Sequence, residues 1–215
     1  MVRAIIFDFD GTLANTLPIC YYAFQSVFKR FDNREITPSE ILVMFGPSEV
    51  GIIRENLLNP HKEEAIEYFY QQYSQFHKDL VEVNQDIHEL VTSLKGADIK
   101  LGIFTGKAKR SLDISLKQLY MEGLFDVIIT GDDVCNAKPD PEGLLKALSI
   151  LDVKNSEAIF VGDSDADVIA GKQSGVFTIG VQWLPEYQTA AFSEQPNLLI
   201  SSVMEFENYI KVGTK

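Results

Sequence analysis

Alternation is what constrains this chain most. From about residue 80 onward, short continuous apolar runs take turns with stretches whose apolar residues recur every three or four positions. The runs fall at residues 100–104, 126–130, 158–161 and 177–181. Such runs read as strands buried on both faces. Between them, Ile87, Leu90, Val91 and Leu94 trace one apolar helix face, Leu112, Leu116 and Leu119 a second, and Leu144, Leu145, Leu148 and Leu151 a third. Strand, helix and strand in that order call for parallel strands joined by right-handed crossovers, an α/β sheet with helices on both faces. Residues 3–9 have the same buried character and are expected in the same sheet.

Residues 16–80 break the rhythm and carry no convincing strand. Residues 18–31 read as a helix with Tyr22, Phe24, Val27, Phe28 and Phe31 on its apolar side. Thr37, Pro38 and Glu40 are spaced as N-cap, N1 and N3 of a second helix. Gly46, Pro47 and Ser48 form a loop, with Ser48 placed to cap the segment after it, and residues 61–80 are a long aromatic-rich helix. Tyr68, Phe69, Tyr73 and Phe76 follow helical spacing and read as packing. The expected architecture is an α/β core of residues 1–15 and 81–215 interrupted by an all-helical domain of residues 16–80.

Charge narrows the partners. The 215 residues carry 19 Lys plus Arg against 31 Asp plus Glu, a net charge of −12. That balance argues against nucleic acid and against a polybasic membrane anchor. The first apolar run, Ala4-Ile5-Ile6-Phe7, stops at Asp8. It is shorter than the ~7–15 residues of a secretion-signal core, and no stretch reaches the ~18 apolar residues of a membrane span. Cys20 and Cys135 are far apart and fit no metal spacing, so two free thiols in a reduced compartment are expected. The reading is a cytoplasmic protein, monomer or homodimer.

In an open parallel sheet, ligands bind beyond the carboxyl ends of the strands. Asp8 and Asp10 follow the first strand, two positions apart and so on one side of an extended chain. Two carboxylates about 4 Å apart repel by roughly 4 kcal/mol at an effective dielectric of 20. A cation between them or a shared proton relieves this; turned to water, the pair means nothing. Thr105 and Gly106 end the second strand, where a hydroxyl and backbone N–H groups hold an anion, or simply make a turn. After the third strand, Lys138 stands before Pro139, Asp140 and Pro141, with Asp140 placed as N-cap of the next helix. Alone, Lys138 passes for a solvated lysine. Asp163, Asp165 and Asp167 follow the fourth strand. One of them suffices to cap a helix starting near Val168; three suit a hard cation such as Mg²⁺. Together, these loops converge on one crevice and supply a nucleophile, an acid/base, an anion cradle and a metal site, the requirements of phosphoryl transfer through a carboxylate.

In these motifs the chain resembles the haloacid dehalogenase superfamily of phosphohydrolases. Asp8-Phe9-Asp10-Gly11-Thr12 is similar to the first family motif, Thr105-Gly106 to the second, Lys138-Pro139 to the third and the segment from Gly162 to Asp167 to the fourth. The resemblance implies a Rossmann-like core and identifies residues 16–80 with the family's α-helical type 1 cap. It implies that Asp8 forms an aspartyl-phosphate and that Asp10 protonates the leaving oxygen and then activates water. Thr105 and the Gly106 N–H would hold the phosphoryl group, and Lys138 would balance its charge. Mg²⁺ would be held by Asp8, the backbone carbonyl of Asp10 and Asp163, supported by Asp167; Asp165 is left as a helix cap. The presence of Asp10 favours phosphate chemistry, because dehalogenases of the superfamily lack that acid.

The nearest subgroup resembles phosphoglycolate phosphatases and the similar pyrophosphatases, on residues 11–16, the loop at Gly46-Pro47-Ser48 and the run from Asp132 to Pro141. Gly106 departs from the Asn frequent there. The expected substrate is a small phosphorylated metabolite, a phosphoglycolate-like monoester. Inorganic pyrophosphatase and a sugar-phosphate mutase of the β-phosphoglucomutase type are the alternatives within the enzyme class, with Thr12 leaning toward phosphatase. A catalytically inactive phosphate-binding or signalling module is the alternative outside it. Specificity is expected from the cap: residues 46–49 should face the site, and Arg54 and Lys107 are candidates to pair with a second anionic group of the substrate. Residues 12–18 and 80–84 are the expected hinges.

Overall fold

The structure, a computed structural model, describes residues 2–97 and 99–213. Its strands are β1 (Ala4–Phe7), β2 (Lys100–Phe104), β3 (Val127–Ile129), β4 (Ala158–Gly162), β5 (Phe177–Val181) and β6 (Leu198–Ile200). All pair in parallel, in the order β3-β2-β1-β4-β5-β6. The chain winds outward from β1 through β2 to β3, then returns to place β4 on the other side of β1. That reversal is the switch point at which an open α/β sheet forms its crevice.

Successive residues of the strands face opposite layers. Ile5 and Phe7 share one core with Leu101, Ile103, Ile159, Val161, Ile179 and Val181. Helices α5 (Gln85–Gly96), α6 (Lys109–Gln118) and α9 (Val203–Gly213) contribute to this core through residues such as Leu90, Leu112 and Phe206. Ala4 and Ile6 belong to the opposite core with Phe104 and Phe160, covered by Leu144, Leu148 and Leu151 of α7 (Glu142–Leu151) and Ala170 of α8 (Asp165–Ser174). Strands buried on both faces explain the unbroken apolar runs. Edge strand β6 is an addition to the expected sheet: with three residues, one of them half-exposed Leu199, it carries no periodic signal.

Five helices lie between β1 and β2; the first four, α1 (Leu17–Asp32), α2 (Pro38–Val43), α3 (Glu49–Asn56) and α4 (Lys62–Leu80), form the insert, and α5 packs on the sheet. Helices α1 and α4 meet through aromatic rings, Phe24 on Phe69 at 4.7 Å and Tyr22 on Phe76 at 4.8 Å between centroids. The aromatic spacing of α4 is therefore packing, as expected. Helix α1 stops at Asn33, which takes the left-handed conformation at φ 51°. Helix α2 opens with the expected capping box: Thr37 Oγ1 accepts from Glu40 N, and Glu40 Oε2 accepts from Thr37 N at 2.7 Å. Helix α4 reaches α6 of the core through Tyr73 Oη and Ser115 Oγ, 2.8 Å apart, and through the Arg110–Glu67 ion pair.

Three helix starts differ from expectation. Ser48 occupies the N-cap of α3 but makes no capping hydrogen bond. Pro141, not Asp140, is the N-cap of α7, while Asp140 Oδ1 still accepts from Glu142 N at 2.9 Å. Helix α8 begins at Asp165, earlier than Val168, because Ser164 and Asp167 close a capping box around its first turn. Among the described residues no helix is long and apolar enough to cross a membrane.

Candidate active site

Level register places the chemistry. Phe7 pairs with Ile103 on one side and Val161 on the other, so β1, β2 and β4 end together. Asp8, Thr105 and Asp163 emerge at that common edge, each buried. Asp8 N donates to Val161 O at 2.8 Å and Thr105 N to Ile129 O at 3.0 Å, extending the ladders to the functional residues themselves. Gly11, at φ 82°, then turns the chain away, and a Cβ there would overlap the Asp163 carboxylate. A cavity of about 220 Å³ opens between this edge and the helical insert. The core lines it with Asp8, Asp10, Thr105, Gly106, Lys107 and Lys138, and the insert with Cys20, Phe24, Phe45, Gly46, Pro47, Glu49 and Ile52.

At the floor, Asp8, Asp163 and Asp167 bring three buried carboxylates within 4.8 Å of one another. Asp163 accepts from Thr12 Oγ1 at 3.0 Å and from Gln188 N at 2.7 Å. Asp167 accepts from Ser164 N at 3.0 Å and Oγ at 2.6 Å, and from Lys138 Nζ at 2.7 Å. Lys138 Nζ also lies 2.8 Å from Asp8 Oδ1, so one ammonium is shared between two of the three acids.

One lysine does not balance three buried acids. Burial pushes the Asp8 carboxyl up to about 7 against the opposing pull of Lys138, with Asp167 and Asp10 adding to the rise. Burial raises Asp163 well above the carboxylate range too, reinforced by Asp8 and Asp167. At Lys138, burial would lower the pKa, but Asp167 and Asp8 outweigh it and hold the ammonium charged. An excess of buried negative charge and an oxygen-only donor set fit a hard divalent cation. Asp10 keeps its carboxylate out of this cluster. Its Oδ1 accepts from Thr16 Oγ1, and Lys107 Nζ lies 3.1 and 3.3 Å from its two oxygens.

Most residues singled out in the sequence meet in this cavity. Asp8, Asp10, Thr105, Gly106, Lys107 and Lys138 line it, and Asp163 and Asp167 lie beside Asp8. Residues 46, 47 and 49 of the insert face it as expected. Arg54 does not: its exposed guanidinium pairs with Glu63 at 2.9 Å, on the solvent side of α3. Lys107 is inside but engaged on both flanks, by Asp10 and by Glu49 Oε1 at 3.4 Å. Asp165 caps nothing and instead accepts from Ser193 N at 2.7 Å, because Ser164 holds the cap position.

The structure also shows contacts that the sequence does not specify. Glu49 is buried and accepts from Ala108 N at 2.6 Å and from Ser111 Oγ at 2.5 Å, fastening α3 to the start of α6. Cys20, expected only as an inert thiol, lines the cavity, with burial pushing its pKa up. Residues after β5 complete the floor: Gln188 reaches Asp163, and Trp183 Nε1 donates to Thr12 O at 2.8 Å, beneath the turn that carries Asp10. The irregular residues after β5 give no periodic signal; Glu49, expected to face the site, is the first residue of α3.

The family description haloacid dehalogenase-like hydrolase matches residues 5–181. A pyrophosphatase PpaX of Listeria innocua is 34% identical over 206 residues, 95% of this chain and 94% of its own. Among solved structures, CbbY from Rhodobacter sphaeroides in complex with phosphate superposes with a TM-score of 0.84 at 23% identity, covering 96% of both chains. A protein of Thermotoga maritima described as a beta-phosphoglucomutase superposes with a TM-score of 0.73 at 26% identity, covering 98% of this chain and 99% of that one.

Proposed function

This chain belongs to the haloacid dehalogenase-like hydrolases, and on that footing we propose that it is a Mg²⁺-dependent phosphatase acting on a small phosphorylated metabolite through an aspartyl-phosphate on Asp8. The observation that carries the reading is the Asp8 carboxylate: buried at the strand edge beside Asp163 and Asp167, with the Lys138 ammonium alone to offset the three, and facing a cavity that also holds Thr105, Gly106 and a second acid. Acids kept only for stability would not be buried together in excess of their counter-charge.

In this scheme Thr105 Oγ1 and the Gly106 N–H receive the phosphoryl oxygens, and Lys138 balances the charge gathering between them and Asp8. Asp8 attacks phosphorus as the P–O bond to the alcohol breaks. Asp10 gives its proton to the departing oxygen. With the alcohol gone, Asp10 takes a proton from water as that water attacks phosphorus, freeing phosphate and restoring Asp8. Asp8, Asp163 and the backbone carbonyl of Asp10 would hold Mg²⁺, with Asp167 supporting. When bound, the ion supplies Lewis-acid charge neutralisation, which lets a carboxylate approach a phosphate. Residues 16–80 act as a cap, opening at residues 12–18 and 80–84 to admit substrate and closing to exclude water.

A phosphoglycolate-like monoester is the first substrate class. Pyrophosphate is the second, favoured by the name of the PpaX relative, which matches nearly the whole chain at 34% identity. Asp8→Asn and chelation by EDTA are each expected to abolish hydrolysis of p-nitrophenyl phosphate, and Mg²⁺ to restore only the chelated wild type. Turnover surviving in Asp8→Asn would remove the covalent scheme. A screen of phosphorylated metabolites that includes phosphoglycolate and pyrophosphate ranks the two substrate classes.

A further inference from the structure

Lys107 is the most enclosed cation of the site. Its side chain is fully buried, in the loop after β2. Around its ammonium stand Asp10 at 3.1 and 3.3 Å, Cys20 Sγ at 3.4 Å, Glu49 Oε1 at 3.4 Å and the Tyr73 ring at 4.6 Å. Cys20, Glu49 and Tyr73 belong to α1, α3 and α4, so three helices of the insert close on one core lysine. An ammonium has three protons to give, and Asp10, Cys20 and Glu49 account for three directions. Nothing is left for an anionic group of the substrate unless one of these partners is displaced. Thr16 Oγ1, at the entry to α1, reaches the same Asp10 oxygen as Lys107.

We propose that Lys107 is a positioning residue for Asp10: clamped from behind by Glu49 of the insert, its ammonium fixes the Asp10 carboxyl where the leaving oxygen must be protonated, and it does not bind the substrate. Docking of α3 supplies Glu49, and Glu49 in turn is seated by Ala108 N and Ser111 Oγ of the core. Seating the insert and aiming the acid are thereby one event. The inference rests on the phosphatase reading above, with Asp10 as its acid.

Leaving-group dependence isolates this role. kcat/KM reports events up to the first irreversible step, which is departure of the alcohol, so the later use of Asp10 as base does not enter. 2,4-Dinitrophenolate leaves without a proton, whereas an alkoxide needs one. Lys107→Met is expected to lower kcat/KM on glycerol 2-phosphate by about 100-fold or more, the range of a lost general acid, and on 2,4-dinitrophenyl phosphate by no more than about threefold. Asp10→Asn should show the same contrast, and Lys107→Met added to it should cause little further loss, because the two act in series. Glu49→Gln, which keeps both seating hydrogen bonds within reach while dropping the charge, should show a weaker contrast in the same direction. It also serves if Lys107→Met does not fold. Equal losses on the two esters would overturn the proposal in favour of a purely structural lysine. A loss much larger on phosphoglycolate than on glycerol 2-phosphate would overturn it in favour of a substrate ligand. Wild-type protein inactive on both esters would instead bring down the phosphatase reading, and this inference with it.

Discussion

Asp8 and Asp163 are held in a state that neither would choose in water. Their raised pKa values mean that the folded, metal-free protein binds protons that the unfolded chain has released. Where the folded state binds more protons, stability falls as pH rises. For Asp8 the window runs from its ordinary value of 3.8 to about 7. The EDTA-treated protein should therefore lose melting temperature between pH ~4 and ~7. A divalent ion that binds the charged carboxylates reverses the penalty, and anything that binds only the folded state stabilises it. Scanning calorimetry should show a larger stabilisation by Mg²⁺ at the upper pH than at the lower. Equal increments at both would exclude these carboxylates as its ligands. This cluster is legible in the sequence because four motifs follow four strands. Arg54 and Lys107 are not distinguishable there, since both are long cationic side chains near the expected site. Tertiary packing separates them: Arg54 of α3 turns outward to Glu63, and Lys107 after β2 turns inward to Asp10.

At the level of elements, the loops after β2 and β3 depend on each other. Gly131 follows β3, and a Cβ there would overlap the Gly106 carbonyl oxygen and stand 3.1 Å from Ser48 Cβ of the insert. Gly131→Ala should push the phosphate-holding loop out of place without emptying the core. A displacement of about 1 Å can cost about 100-fold in rate. The expected outcome is a large fall in kcat with a modest fall in melting temperature; an unaltered kcat would show that the Thr105–Gly106 loop tolerates the shift. Periodicity in the sequence locates β2 and β5 to the residue and α1 and α4 to within a residue, because long apolar faces impose their spacing. Helix starts are less legible. Both Ser164 and the acids after it are good caps, and the choice falls to Ser164 because Asp167 can then return a hydrogen bond to it. Strand β6 and the loop from β5 to β6 are less legible for a different reason: beside the Trp183 indole, the contact to Asp163 is made by a backbone group, Gln188 N, that any residue type supplies.

Across the whole molecule, what must stay fixed is separated from what is free to differ. The acids sit on the central strands of a sheet whose two faces are both sealed by core, while the insert leaves and re-enters the chain between β1 and β2. Charge at this scale is uneven too: the chain is strongly acidic, yet Lys107 and Lys138 are kept inside the cavity. The chain's single tryptophan lies on the boundary of these regimes. Trp183 is half-buried, stands edge-on to Phe206 of the core at 5.5 Å, and donates to the backbone of Thr12 in the turn after Asp10. An indole in that position is a built-in optical reporter. Titrating Mg²⁺ or orthovanadate should shift its emission with no label attached, and the time course of that signal would let ligand entry be watched in a stopped-flow cell before any natural substrate is known.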